Sequence, residues 1–433
     1  MKQYRPRILD EVLRMNLEAF GAILIEGPKW CGKTTTAEQS AKSAIYMQDE
    51  DNGANYLRLA EDTPSALLRG ESPHLIDEWR MAPNIWDAVR NEVDKREVPG
   101  QFILTGSVSV DKSMIKHSGA GRIRTLQMRT MSLWESGDST GEVSLESLFN
   151  DHKNVEGRSN HDIFDIARIV TRGGWPASIG KNEKIAHSLV AGYCETIVDT
   201  EINSIDGRER DKRKMIQILR SLSRNTAMAV PDTTILKDIT PDRTYDGLTS
   251  DDLGSLKAMD IKTVRSYLEA LNRIHVTEDL DAWCPKLRSK TTIRTGSTRH
   301  MSDPAIAAYF LNASAEDLVY DMETFGLLFE SLVIRDLRVY AQSLEGEVFH
   351  YRDANGREAD AIVHLWNGKW GAVEVKLNPA REDEGAESLL KLVRDIDTDT
   401  MKPPSFLAVI TGRGMAHTRK DGVHVIPIGC LKN

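Results

Sequence analysis

Apolar positions along this chain follow two rhythms. Short unbroken runs recur in the first quarter: AILI closing at Glu26, Leu75-Ile76 closing HLI, and Phe102–Leu104. Unbroken apolar runs bounded by turn residues predict buried strands of a parallel sheet. Ala22–Glu26 reads as one such strand and Thr34–Lys42 as the helix after it. Further on the spacing turns helical. IFDIARIVTRGG predicts a helix ended by Gly173-Gly174, with Trp175-Pro176 as a turn, and SLVAGYCETIVDTEINSI predicts another helix. Val264, Tyr267, Leu268, Leu271 and Ile274 mark an amphipathic helix with Asp260 as its N-cap, followed by the strand-like HVTEDL. METFGLLFESLVIRDLRVY predicts a long helix that carries Glu330 among apolar neighbours. GREADAIVHLW and GKWGAVEVKL then read as two strands joined at Asn367-Gly368.

Composition narrows the class. A chain of 433 residues with 40% hydrophobic and 28% charged residues has material for two to four globular domains. A net charge of −9 provides no long-range positive field for nucleic acid, so any such contact needs local basic patches. The four cysteines (Cys31, Cys194, Cys284, Cys430) show neither CxxC pairs nor zinc spacing, which suits a reducing compartment. The start, MKQYRPRILDEVLRM, lacks a secretory apolar core, and no run reaches membrane-span length. The expectation is a cytoplasmic protein with no membrane partner.

The chemistry begins at GPKWCGKT, residues 27–34. The pattern GxxxxGK[ST] between a strand and a helix cradles phosphates on backbone N–H groups at a helix N-terminus. The expected cradle is Gly27, Pro28, Lys29, Trp30, Cys31, Gly32, Lys33, Thr34 and Thr35, with Cys31 a bystander. Lys33 reaches the outer phosphates of ATP and the Thr34 hydroxyl ligates Mg²⁺. Asp77-Glu78 closes the second strand, at the sheet edge where ligands gather. Asp77 is placed to hold Mg²⁺ and Glu78 to activate water, which suits a hydrolase better than a small-molecule kinase. Thr105 and Ser107 emerge from the third strand, and Thr105 is expected to sense the nucleotide. In HSGAGRIRTLQMR two glycines place Arg122 on a loop as a candidate finger, in cis or across a homo-oligomer contact, with Arg124 and Arg129 as competitors.

The runs IDEWRMAPNIWDAVRNEVD, GQFILTGS and SGAGRI…MSLWESG resemble prokaryotic AAA-type ATPases fused to an uncharacterised conserved domain of restriction-nuclease-like shape. Such sequences commonly carry Gln where this chain has Arg80, a departure that leaves phosphate chemistry intact. The resemblance implies ATP binding and hydrolysis over an α/β fold, and a GGWP segment acting as a lid. The residues alone read that segment as a packed turn. The polar stretch FNDHKNVEGRSNHD marks a boundary, giving an AAA-like P-loop domain over 1–155 and a helical lid or linker over 156–207.

From about residue 208 a basic cluster (Arg208, Arg210, Lys212, Arg213, Lys214) opens a helix, TTILKDI follows, and then a polar insertion, PDRTYDGLTSDD. Helices closed by a short β-hairpin suggest a winged-helix module over 208–300, with either a DNA-contacting or a scaffold role. The exposed face with Lys262, Arg265 and Glu269 is only mildly basic.

Residues 301–433 carry a second constellation. Glu358-x-Asp360 and Glu374-x-Lys376 resemble the D…ExK signature of restriction-type nucleases, in which acids bind Mg²⁺ and the lysine assists water. Hairpin register tests the match. A three-residue loop, Trp366-Asn367-Gly368 with Gly368 left-handed, sets Asp360 across from Glu374 with Lys376 on the same face. Only that register also puts Ala361, Val363 and Leu365 on one side with Gly371, Val373, Val375 and Leu377. Glu330, Asp360, Glu374 and Lys376 are therefore the expected nuclease-like site. Three roles stay open: an ATPase acting on DNA or RNA through this module, an ATP-controlled nuclease, and an ATP-switched interaction protein whose far domain is inactive.

Overall fold

Five parallel strands organise the first part of the chain: β1 (Ala22–Glu26), β2 (Ser43–Tyr46), β3 (His74–Asp77), β4 (Phe102–Gly106) and β5 (Ile123–Gln127). Their order is β2-β3-β4-β1-β5. The computed structural model describes residues 4–109, 115, 117–150, 154–201, 210–240, 259–285, 296–353, 356–396 and 401–433. Arg208 and the PDRTYDGLTSDD insertion lie outside the described residues. The chain divides into two compact units, Met1–Thr130 and Met131–Asn433.

In the first unit, successive residues of β1, β3 and β4 face opposite cores, as a pleat requires. Leu24, Ile76 and Leu104 meet Trp79 and the helix Asn84–Arg96 on one face. Ile23, Ile25, Leu75 and Ile103 meet α1 (Ile8–Ala19) and α2 (Lys33–Ser40) on the other. Burial on both faces explains why these strands read as continuous apolar runs. Strand order reverses at β1, which has β4 on one side and β5 on the other. A crevice opens at the carboxyl ends of strands at such a switch point, and the glycine-rich loop leaves β1 there.

Arg122 lies at the other edge. It immediately precedes β5, its carbonyl accepts the N–H of Ala22 at 3.0 Å, and its Nε pairs with Asp94 at 2.8 Å. β1 spans five residues, so about 13 Å of strand separates Arg122 from the loop edge. Of the two roles left open for Arg122, this placement favours the one toward a neighbouring chain over the one in cis. Arg124 lies within β5, whereas Arg129 follows its carboxyl end, on the loop side.

The second unit holds a seven-stranded mixed sheet, ordered β7-β12-β13-β11-β10-β9-β8. Its strands are β7 (Gly157–Arg158), β8 (Gly346–Arg352), β9 (Glu358–Leu365), β10 (Trp370–Lys376), β11 (Phe406–Thr411), β12 (Met415–Thr418) and β13 (His424–Pro427). The boundary expected near residue 155 moves to Thr130 for a long-range reason. β6 (Val143–Ser144) pairs with β14 (Leu431–Lys432), and the Leu133 N–H donates to the Asp336 carboxylate. The first residues of the unit are thus built on its last ones. GGWP is a packed turn here: Trp175 is buried against Tyr193, and the Gly174 N–H donates to Asp303. The C=O of Gly174 accepts the N–H of Met131.

Helices Lys212–Arg224, Asp232–Ile239 and Ile261–Arg273 fill the region read as a winged helix, with Asp260 capping the third through Thr263. Where a wing was expected, the described residues show isolated antiparallel bridges, Thr277 to Met301 and Leu280 to Thr298. Several of its cations are internally paired. Arg265 meets Asp232, Arg224 meets Asp238, and Arg299 meets both Asp232 and Asp279.

Candidate functional site

At the loop edge of the first unit, Gly27 is a steric necessity: a Cβ there would lie 2.0 Å from the carbonyl oxygen of Met128. Gly32 turns into α2 with φ 109°, a conformation glycine adopts freely. Lys33 is buried and its Nζ donates to the Gly27 and Pro28 carbonyls, both at 3.0 Å. The ammonium is therefore already inside the cradle, and phosphate oxygens are the natural replacement for those carbonyls. Trp30 is 54% exposed at the loop tip, and Cys31 is fully buried.

Asp77 is where three elements meet. Its Oδ1 accepts the Thr34 hydroxyl from α2 and the Thr105 hydroxyl from β4, each at 2.7 Å. Thr105 in turn accepts the Glu78 N–H at 3.1 Å. Strand order produces this cluster, because β4 lies between β1 and β3 and carries Thr105 to the gap between loop and carboxylate. Glu78 is left-handed at φ 53°, a conformation costing a non-glycine residue roughly 1–2 kcal/mol. Its hydrogen bond to Thr105 helps hold it there. Burial raises the Glu78 pKa, and the neighbouring Asp77 charge raises it further. Lys33, Lys29 and a hydrogen bond with the Ser107 backbone pull it back. A hydroxyl and a carboxylate converging beside a buried lysine fit Mg²⁺ bound to a nucleotide.

Sequence reasoning missed the N-terminal support of this site. Arg7 is buried, and its guanidinium donates to the carbonyls of Cys31 and Arg129, each at 2.8 Å. The Tyr4 hydroxyl donates to Asp10 at 2.6 Å and lies 3.0 Å from Thr36 Oγ1. The YRPR run belongs to no motif, so only the folded chain reveals what it touches.

In the second unit the hairpin register falls as the pattern demands. Trp370 pairs with His364 and Val373 with Ala361, while Gly368 is left-handed at φ 79°. Extending that ladder by one residue sets Asp360 opposite Glu374. Yet the face they share is not solvated. Ile362, Trp370 and Ala372 pack with Ala386, Leu389 and Leu392 from the helix Glu382–Asp395. The sheet is covered on both sides, so the one-sided burial expected of the hairpin is corrected. Asp360 Oδ2 accepts the Val375 N–H at 2.7 Å, and Lys376 Nζ donates to Glu374 Oε1 at 2.9 Å. Glu374 Oε2 is buried without a partner. Burial, then the Asp360 charge, push the Glu374 carboxyl up to about 8 against the opposing pull of Lys376. Glu330 is raised well above the carboxylate range by burial and by the charges of Asp360 and Glu374. Among the described residues, no three His, Cys, Asp or Glu side chains converge to hold a metal ion. The four residues are electrostatic neighbours.

Comparison with known proteins defines the class. Residues 19–136 match the family described as AAA domain, so the first unit is an AAA-type P-loop domain. Residues 163–317 match a domain of unknown function (DUF8612), and residues 325–431 match another (DUF4143). Uncharacterized proteins of Mycobacterium bovis and Mycobacterium tuberculosis are each 22% identical over 365 residues, covering 83% of this chain and 71% of theirs. Among solved structures, the Walker-type ATPase PABY2304 of Pyrococcus abyssi aligns at 11% identity and TM-score 0.40, over 70% of this chain and 94% of that one. No described helix is long and apolar enough to cross a membrane.

Proposed function

We propose that this chain binds ATP with Mg²⁺ and hydrolyses it. The observation that carries the reading is the convergence on Asp77: Thr34 and Thr105 hydroxyls on one oxygen, with Glu78 next in the chain. Lys33 supplies positive charge to the outer phosphate oxygens. Thr34 and Asp77 are the residues that would hold Mg²⁺, which would supply positive charge to offset the charge developing on the phosphates. Glu78 takes a proton from the attacking water as its oxygen bonds to the γ-phosphorus and the bond to ADP breaks. Thr105 acts as a positioning residue, tying the Asp77 carboxylate to the Glu78 main chain. Arg122, at the opposite sheet edge, is assigned the role of a finger toward a neighbouring chain of a homo-oligomer. The test is steady-state ATP turnover by the purified protein and by Lys33→Ala. Mg²⁺-dependent turnover that collapses in the variant supports the reading, and equal turnover by both overturns it.

Energy from that cycle is proposed to act on the second unit as an ATP-switched interaction module. A nuclease-like role for Asp360, Glu374, Lys376 and Glu330 is the second reading. It is favoured by the buried, unpartnered Glu374 Oε2 beside Lys376. It requires the carboxylates to converge further than they do here. Incubation with DNA and RNA, with and without Mg²⁺ or Mn²⁺, decides the matter. Metal-dependent cleavage that disappears in Glu374→Gln supports this reading, and no cleavage by the intact protein removes it.

A further inference from the structure

We infer that Arg7 is a positioning residue that couples the nucleotide loop to the segment through which the chain enters its second unit. The inference rests on the proposed ATP binding. Its guanidinium donates from Nη1 to the carbonyl of Cys31, inside the loop, and from Nη2 to the carbonyl of Arg129. Two residues after Arg129 the second unit begins, at Met131. One rigid planar group thus holds two main-chain segments far apart in sequence, and a guanidinium fork fixes both distances at once.

Three further contacts remove slack from this connection. The Met128 N–H donates to the Glu26 carbonyl at 2.7 Å, extending the ladder past β5. The Met128 carbonyl occupies the space that a Gly27 side chain would need. The Cys31 thiol lies 3.9 Å from the same carbonyl oxygen. The loop therefore packs directly on residues 128–129, and Arg7 fastens them from the buried side. Lys33 holds the loop through Gly27 and Pro28, so exchanging those carbonyls for phosphate oxygens changes the restraint on this same loop. Close-packed neighbours transmit such a change.

Arg7 is itself anchored. It is the N-cap of α1, and its N–H donates to Asp10 Oδ2 at 2.8 Å. Tyr4 joins the same Asp10 to Thr36 in α2. The Tyr4 hydroxyl therefore braces α1 against the helix after the loop, through Asp10 and Thr36. Arg7 instead reaches the Arg129 carbonyl, and that difference separates coupling from general support.

The experiment is hydrogen exchange of the full chain, read over residues 123–136, with and without saturating Mg²⁺ and a non-hydrolysable ATP analogue. Analogue binding is measured separately by calorimetry. In the unmodified protein, the analogue should slow exchange in this segment by a factor of about 5 or more, the lower end of ordinary coupling. Tyr4→Phe should keep that response. Arg7→Met should lose it at saturation while still binding the analogue. Arg7→Lys keeps the charge but not the fork, so it should keep only part of the response, and it serves if the Met variant does not fold. An undiminished response in Arg7→Lys or Arg7→Met overturns the inference. So does binding without slowing in the unmodified protein, which leaves the functional reading standing. No analogue binding by the unmodified protein overturns both.

Discussion

Glu78→Gln is expected to keep ATP binding within a few-fold and to lower turnover by about 10²–10⁴-fold, the usual contribution of a positioned general base. Gln keeps the size and the hydrogen-bonding main chain of Glu78, including the N–H to Thr105. It leaves the Lys33 and Thr34–Asp77 contacts untouched. Only the capacity to accept a proton is removed. The pH profile provides a second signature. Burial and Asp77 raise the Glu78 pKa, and a base works only when deprotonated. Turnover by the unmodified protein should therefore fall on acidification at a pH above the ordinary carboxylate range, and the Gln variant should lack that limb. Titration calorimetry for binding and phosphate release against pH check both statements. Near-normal turnover in the Gln variant would remove Glu78 from the mechanism.

Arg335→Met should destabilise the second unit by about 3–5 kcal/mol, the ordinary result of stripping one partner from a buried ion pair. Arg335 is buried with Asp303 at 3.0 Å and Asp336 at 2.7 Å, both of them fully enclosed. Those carboxylates also receive the N–H groups of Gly174 and Leu133. Removing the guanidinium leaves two buried anions facing each other, and the GGWP turn and the start of the unit hang on them. The denaturant midpoint of the second unit measures the loss. Adding Asp336→Asn to Arg335→Met should recover part of it, because one orphan charge disappears. Arg168→Ala, which breaks an exposed pair with Asp165, should cost less than about 1 kcal/mol.

What the sequence reveals follows the range of the interactions involved. The strands of the first unit were legible because two buried faces leave continuous apolar runs. The Asp360–Glu374 register was legible because the apolar alternation and the Asn-Gly turn demand the same pairing. The choice between the two roles of Arg122 stayed open because a glycine-rich loop states mobility but not which sheet edge it occupies. Only strand direction decides that. The covering of the Asp360 face was hidden because it is made by a helix beginning at Glu382, after the hairpin. Arg7 was invisible for a similar reason: its partners are two main-chain carbonyls, which carry no residue signature.

The pairing of Val143–Ser144 with Leu431–Lys432 also bears on how the protein is made. The first unit is finished once about 130 residues have left the ribosome. The second must hold its opening strand unpaired through nearly 300 further residues of synthesis. Nascent chains should thus pass through a long interval in which a complete nucleotide-binding unit trails an open, aggregation-exposed partner.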